Sequence, residues 1–324
     1  MKALVCEAYG PIANLAVREI PAPVPGPKQV LIDVRAASVN FPDALMVQGL
    51  YQVKPPTPFT PGAEVAGVVS AVGAEVKGFK PGDPVIALIS TGGFAEQCVA
   101  DAMRTIPLPA GMDFDTGAAL VLTYATSLHA LQDCARLQPG ETLVVLGAAG
   151  GVGLAAVEIG KAMGARVIAA ASTDDKLALC RQAGADETLN YASENLKDRI
   201  GELTGGKGAD VVYDPVGGPY AEPALRALAW RGRFLVVGFA AGDIPKIPLN
   251  LALLKERSIV GVYWGDWTRQ DPAGHVANLR QLQAWFAAGT IKPVVSQRYA
   301  LADAREAIEC IANRRVKGKI VVNP

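Results

Sequence analysis

Thr142-Leu143-Val144-Val145-Leu146-Gly147-Ala148-Ala149-Gly150-Gly151-Val152-Gly153 is the stretch that decides the fold. Its first five residues are apolar and rich in β-branched side chains, the composition of a strand buried on both faces of a parallel sheet. A glycine-rich turn follows at once. Val152, Ala155, Ala156, Ile159 and Met163 then recur at helical spacing, Gly164 ends the helix, and Arg166-Val167-Ile168-Ala169-Ala170-Ala171 reads as a second apolar strand. A βαβ unit with glycines in its first turn is the context in which such glycines bind a dinucleotide. Gly150 lets the backbone approach a pyrophosphate, Gly153 lets helix and strand pack closely, and the helix N-terminus offers N–H groups and partial positive charge. Read strictly, the fingerprint is Ala148-x-Gly150-x-x-Gly153, with alanine at the usual first glycine.

An NAD site would carry an acidic residue at the end of the second strand, on the ribose 2′-hydroxyl. Here the strand ends Ala171-Ser172-Thr173, with Lys176 one helical turn on. Ser172 can donate a hydrogen bond and Lys176 brings positive charge, so a 2′-phosphate is favoured and the cofactor expected is NADPH. Asp174 and Asp175 read as first-turn residues pointing away, where carboxylates suit the helix dipole.

A chain of 324 residues is long enough for two domains, each with its own core. Half of the residues are hydrophobic and no run resembles a membrane span. The formal net charge is zero, without a long basic run, which argues against a nucleic-acid surface. Cys6, Cys98, Cys134, Cys180 and Cys310 are odd in number and dispersed, as expected of reduced thiols in a cytoplasmic protein. His129 and His275 stand alone and read as helix or surface residues, so no metal site is expected.

Before the turn, strands at 3–5, 29–34 and 65–69 alternate with proline- and glycine-bearing turns, giving a mostly β domain. Asn40 to Gly49 is a short helical or loop excursion, and Asp115 to Arg136 is helical. After the turn, strands near 187–190, 210–213, 233–237 and 258–262 alternate with helices at 174–183, 195–203 and 221–229. That alternation predicts a parallel, doubly wound sheet. A long helix over 272–288, a strand at 294–296, a helix over 302–313 with capping-box spacing from Asp303 to Glu306, and a strand at 319–322 close the chain. The tail is expected to return to the first domain. The expected architecture is therefore a Rossmann domain, residues 120–265, inserted in a mostly β catalytic domain made of residues 1–119 and 266–324.

The layout resembles the zinc-free quinone oxidoreductase branch of the medium-chain dehydrogenase/reductase superfamily, whose catalytic domain is GroES-like. The resemblance rests on Ala36 to Asp43, Pro61 to Val69, Gly73 to Val76, Pro81-Gly82-Asp83, the glycine turn and Gly318-Lys319-Ile320-Val321. The superfamily's zinc alcohol dehydrogenases carry a cysteine ligand near Asn40 and Gly-His-Glu where this chain has Gly62-Ala63-Glu64. They also carry four structural cysteines where only Cys98 occurs here. Without a Lewis acid, alcohol oxidation is disfavoured. Hydride transfer to a quinone, or to an alkene conjugated with a carbonyl, is the expected reaction.

The resemblance implies that Asn40 lies near the nicotinamide and Thr126 near its phosphate. It places Gly150, Gly151, Val152 and Gly153 at the pyrophosphate, and Gly217, Gly218, Val237, Gly238, Phe239 and Ala240 along the cofactor. Ser172, Lys176 and Tyr191 surround the 2′-phosphate. It also implies a homodimer, joined through edge strands near Ser258 to Tyr263. Several quinone oxidoreductases carry a tyrosine where this chain has Leu45. Tyr51 instead matches the proton donor of related enoyl thioester reductases, so an enoyl thioester or alkenal double-bond reductase is the alternative. Tyr51 reads equally as a general acid or as an aromatic lid that only packs. Asn40 reads also as a turn-capping amide, Tyr191 as a half-buried loop residue, and the whole chain as a non-catalytic NADPH-binding protein.

Overall fold

The computed structural model describes all 324 residues. They form two compact units, Met1–Leu122 with Pro293–Pro324, and Thr123–Lys292.

The first unit opens with β1 (Lys2–Val5) and β2 (Ala16–Glu19), paired as a hairpin, then β3 (Gln29–Val39) and α1 (Phe41–Val47). β4 (Glu64–Val72), β5 (Pro84–Leu88), β6 (Gln97–Asp101) and β7 (Thr105–Pro107) follow, and α2 (Phe114–Leu128) leads out. The second unit runs through β8 (Thr142–Val145), α3 (Gly151–Ala162), β9 (Arg166–Ala171), α4 (Asp174–Gln182), β10 (Glu187–Asn190) and α5 (Leu196–Leu203). It continues with β11 (Ala209–Asp214), α6 (Ala221–Arg226), β12 (Leu228–Val236), α7 (Asn250–Leu253), β13 (Ser258–Gly261), α8 (Trp264–Gln270) and α9 (Pro272–Ala287). The chain returns to the first unit as β14 (Val295–Ala300), α10 (Ala304–Ala312) and β15 (Lys319–Asn323).

In the first unit a seven-stranded sheet runs β14-β15-β3-β4-β5-β7, with β6 also on β3. β3 alternates as a half-buried strand must, with Val30, Ile32 and Val34 inward. Its far end pairs with the C-terminal strand, Val39 opposite Ile320 and Ser38 opposite Val321. That register sets Lys319 beside Asn40.

In the second unit six parallel strands take the order β10-β9-β8-β11-β12-β13. This is the doubly wound order of a dinucleotide fold, which reverses direction between β8 and β11. β8 and β9 are buried along nearly their whole length, because helices cover both faces of a parallel sheet. β13 is the outer strand, and Ile259 is exposed on it.

Several expectations are corrected. The helix over 272–288 groups with the second unit and not with the tail of the first. Its Asn278 bonds Gln132 and Asp133, and Leu282 is buried. Helix α6 stops at Arg226 and β12 starts by Leu228, with a register shift against β11 between Ala209 and Val211. The helix over 115–136 is α only to Leu128 and then widens into a π-turn, His129–Cys134. The Asp303–Glu306 capping box does not form: a 3-10 turn, Leu301–Asp303, enters α10 and the Asp303 side chain makes no cap hydrogen bond. Helices α7 and α8 lie where the sequence pattern showed none.

Candidate functional site

The glycine turn joins β8 to α3 at the point where the strand order reverses. Gly147 takes the left-handed conformation, with φ +56°. That explains the alanine at 148: the tight turn falls one residue earlier, and the Ala148 N–H is free to donate to the Ala170 carbonyl at 3.0 Å. A Cβ on Gly153 would stand 2.3 Å from the Gly147 oxygen and 2.7 Å from the Ala148 Cα, so no larger residue fits without moving the backbone. Gly150 is the N-cap of α3 and brings no side-chain cap. The N–H groups of Gly151, Val152 and Gly153 therefore have no partner within the helix and face outward from its N-terminus. The Ser127 hydroxyl donates to the Val152 carbonyl at 3.0 Å, which ties α2, and with it the half-buried Thr126, to this turn.

The remaining expected residues of this unit gather at the C-terminal ends of neighbouring strands, where an open parallel sheet binds ligands. Ser172 follows β9 and Lys176 lies in the first turns of α4, both half-buried. Asp174 accepts from Asn190 Nδ2 at 3.3 Å, and Asp175 accepts from the Lys176 N–H at 2.9 Å and from the Thr173 hydroxyl. Local donors thus hold both carboxylates. Tyr191 follows β10 and packs its ring on Tyr220, with centroids 4.4 Å apart. After β11, Gly217 and Gly218 both take positive φ. The Asp214 carboxylate accepts the Val216 and Gly217 N–H groups, each at 2.8 Å. Burial pushes that carboxyl up to about 6, against the pull of those two donors. The Val237 to Ala240 segment folds onto this loop: Ala240 N–H reaches Pro215 O at 3.0 Å, and a Cβ on Gly217 would meet Phe239 at 2.8 Å.

In the first unit Asn40 belongs to a buried polar cluster. Lys319 Nζ donates to Asn40 Oδ1 at 2.6 Å and stands 3.7 Å from Glu64 Oε2. Asn40 Nδ2 donates to Ser38 Oγ at 3.1 Å, and Ser38 Oγ donates to Glu64 Oε2 at 2.7 Å. The other Glu64 oxygen accepts the Leu122 N–H at 2.7 Å. Asp43 accepts the Asn40 N–H at 2.8 Å and the Gly62 N–H at 3.2 Å, closing the first turn of α1. Lys319 is 4% exposed, Asp43 1% and Glu64 0%. Burial depresses the Lys319 ammonium, opposed by Glu64 and Asp43. Burial also pushes the Asp43 carboxyl up to about 7, against its two N–H donors and the Lys319 charge. Lys319, Glu64 and Ser38 were missed as site residues. The available signal was a lysine and a glutamate each opening an apolar strand that the rest of the unit buries. Tyr51 lies half-buried in the irregular segment after α1.

Residues 151–280 match the zinc-binding dehydrogenase family and residues 26–110 the alcohol dehydrogenase GroES-like domain. The chain is 39% identical to quinone oxidoreductase-like protein 2 of Rattus norvegicus, over 95% of this chain and 89% of that protein. Its fold is similar to that of the Escherichia coli quinone oxidoreductase complexed with NADPH, with TM-score 0.93, 30% identity and full coverage (100%) of both chains. It is also similar to the CurK enoyl reductase, with TM-score 0.89, 28% identity, and 99% and 98% coverage. A Rossmann-type parallel unit, a mostly β GroES-like unit and full-length relatives together place the chain: it belongs to the quinone oxidoreductase family of the medium-chain dehydrogenase/reductase superfamily.

Proposed function

We propose that the chain binds NADPH and transfers hydride to quinones or similar conjugated carbonyl acceptors without zinc. The observation that carries the cofactor half is the Gly153 position, closed to any side chain beneath a helix N-terminus at the sheet's switch point. That cradle fits a pyrophosphate. Gly150, Gly151, Val152 and Gly153 would hold it, with Thr126 beside the turn and Gly218, Val237, Gly238, Phe239 and Ala240 along the cofactor. Ser172, Lys176 and Tyr191 would take the 2′-phosphate, in keeping with the related quinone oxidoreductase that was solved with NADPH. NADPH supplies the hydride when bound; the chain binds and orients it, and Asn40 and Tyr51 are the side chains we assign to the chemistry.

The zinc-free half rests on donor chemistry. Ala63 has no ligating atom, and Glu64 is paired with an internal ammonium. An acceptor that is already electrophilic needs no Lewis acid. Tyr51 and the likeness to an enoyl reductase favour a second reading, double-bond reduction of enoyl thioesters or alkenals. NADPH oxidation measured with a quinone, an alkenal and an enoyl thioester separates the two. Inertness toward all three would leave a non-catalytic NADPH-binding protein. Exhaustive chelation is expected to leave turnover and melting temperature unchanged.

We also propose a homodimer through β13. Its outer edge is unpaired within the chain, Ile259 is exposed on it, and Leu249, Leu253, Leu254 and Tyr263 are exposed in the segments that flank it in sequence, apolar surface that association would cover. Light scattering should give twice the chain mass. The proposed setting is the cytoplasm, where the five free thiols stay reduced. No helix is long and apolar enough to cross a membrane.

A further inference from the structure

A group of reactive side chains converges elsewhere in the second unit. The π-turn His129–Cys134 is closed by the Ala135 N–H on the Ala130 carbonyl at 2.9 Å. In an α-helix residues five apart diverge, whereas a π-turn brings them onto one face, and such turns are frequent at functional sites. Cys134 Sγ thereby comes within 3.4 Å of His129 Nε2. The other ring nitrogen, Nδ1, is 2.9 Å from Asp133 Oδ2. Asn278 Nδ2 donates to that same oxygen at 2.9 Å, and Gln132 Nε2 in turn donates to Asn278 Oδ1 at 2.9 Å. Trp267 stacks on the imidazole at 4.0 Å with planes 22° apart. The ring is thus held in its plane and at one edge. With Nδ1–H donated to Asp133, the Nε2 lone pair faces the thiol.

This is a nucleophile, a base and an orienting carboxylate in hydrogen-bonded series. Cys134 is half-buried, whereas Cys6, Cys98, Cys180 and Cys310 are buried. Burial and the Asp133 charge push the Cys134 thiol up. The sulfur therefore rests protonated, and its reactivity depends on His129 taking the proton. Further along the same aromatic cluster, the buried Trp264 indole N–H has no acceptor in the protein, a donor suited to a carbonyl oxygen.

We propose that Cys134 is a nucleophilic thiol, activated by His129 and oriented through Asp133, that adds covalently to conjugated carbonyl electrophiles without any need for a dinucleotide. The sulfur forms a bond to the β-carbon while its proton passes to His129 Nε2. The alkene π pair moves toward the carbonyl, and the resulting enolate takes the proton back from the imidazolium. The net step is addition, with no leaving group and no change of oxidation state overall.

The test is N-ethylmaleimide, a small conjugated imide, applied to the native full-length protein, with peptide mass mapping over time. Cys134 should be modified before the four buried thiols and faster than free glutathione at the same pH. C134S should remove the fast site. H129Q and D133N should each slow Cys134 by about tenfold or more, the scale of lost base assistance. Near-ultraviolet circular dichroism establishes which variant keeps the native fold, and D133N, which retains the ring, carries the test should H129Q unfold. A Cys134 rate within twofold of wild type in the folded variants overturns the proposal. So does a wild-type rate below that of glutathione, since an unassisted thiol raised by burial would behave that way.

Discussion

The Lys319 ammonium donates to the Asn40 side-chain oxygen at 2.6 Å, across 279 positions of sequence. The contact exists because β15 pairs antiparallel with the end of β3, and it makes the C-terminal strand part of the candidate site. Lys319 is also the cation paired with Glu64, at 3.7 Å. Lys319→Met should therefore leave a buried carboxylate without a countercharge and free the Asn40 amide to rotate. The expected loss is about 3–5 kcal/mol in urea unfolding, with a lower turnover number. Adding Glu64→Gln should restore part of the stability, because the double variant no longer buries an unpaired charge. A single-variant loss below about 1 kcal/mol, the level of an exposed pair, would show that the ammonium does not act as the countercharge.

Asp43 predicts a pH dependence. Its carboxyl is raised from 3.8 to about 7 in the folded chain. Between those values the unfolded chain has released a proton that the folded chain still holds, so this group's contribution to stability falls as pH rises through the window. Asp43→Asn cannot titrate. The stability of wild type relative to D43N should decline from pH 4 toward about 7 and then level off, by on the order of a few kcal/mol. Urea unfolding at several pH values gives the difference curve; a flat one refutes the assignment. Asp214, raised to about 6, is present in both proteins and cancels.

Lys176→Ala tests the cofactor reading. A desolvated charge-assisted contact is worth roughly 1.5–3 kcal/mol, so NADPH binding should weaken about ten- to a hundredfold while NADH binding hardly changes. Fluorescence titration with each cofactor measures both. Equal affinity of wild type for the two would contradict the reading of Ser172 and Lys176.

What was legible in the sequence was whatever local pattern controls. Unbroken apolar runs marked β8 and β9 as strands covered on both faces, and the glycines marked the turn. The buried cluster was not legible, because Lys319 and Asn40 meet only through the register of β15 on β3. His129 looked solitary for a related reason. Its partners lie four and five residues on, and Cys134 shares its face only in a π-turn, which helical periodicity does not anticipate. The place of the 272–288 helix in the second unit was not legible either, because amphipathic spacing shows that a face is buried but not against what.

Tyr51→Phe discriminates between the two substrate classes. The substitution keeps the ring and its packing and removes only the hydroxyl. Hydride addition to a conjugated alkene leaves an enolate that must be protonated, and a phenol of pKa about 10 is a competent acid for it. Positioned acids typically contribute about 10²–10⁴-fold. If the chain reduces enoyl thioesters or alkenals with Tyr51 as donor, turnover on the alkene should fall by roughly that factor with KM little changed, the signature of an interaction made in the transition state. A quinone is different, since its reduced oxygens take protons from water without a dedicated donor. On that substrate the variant should lose less than about fivefold, within the range of one weak hydrogen bond. Tyr51 sits half-buried in an irregular segment, so the hydroxyl can be removed without opening a core cavity, and a change in rate will report chemistry and not unfolding. The quinone outcome is the expected one, because the full-length likeness to quinone oxidoreductases outweighs four residues, Gln48 to Tyr51. A large loss on the alkene beside an intact quinone rate would reverse that order.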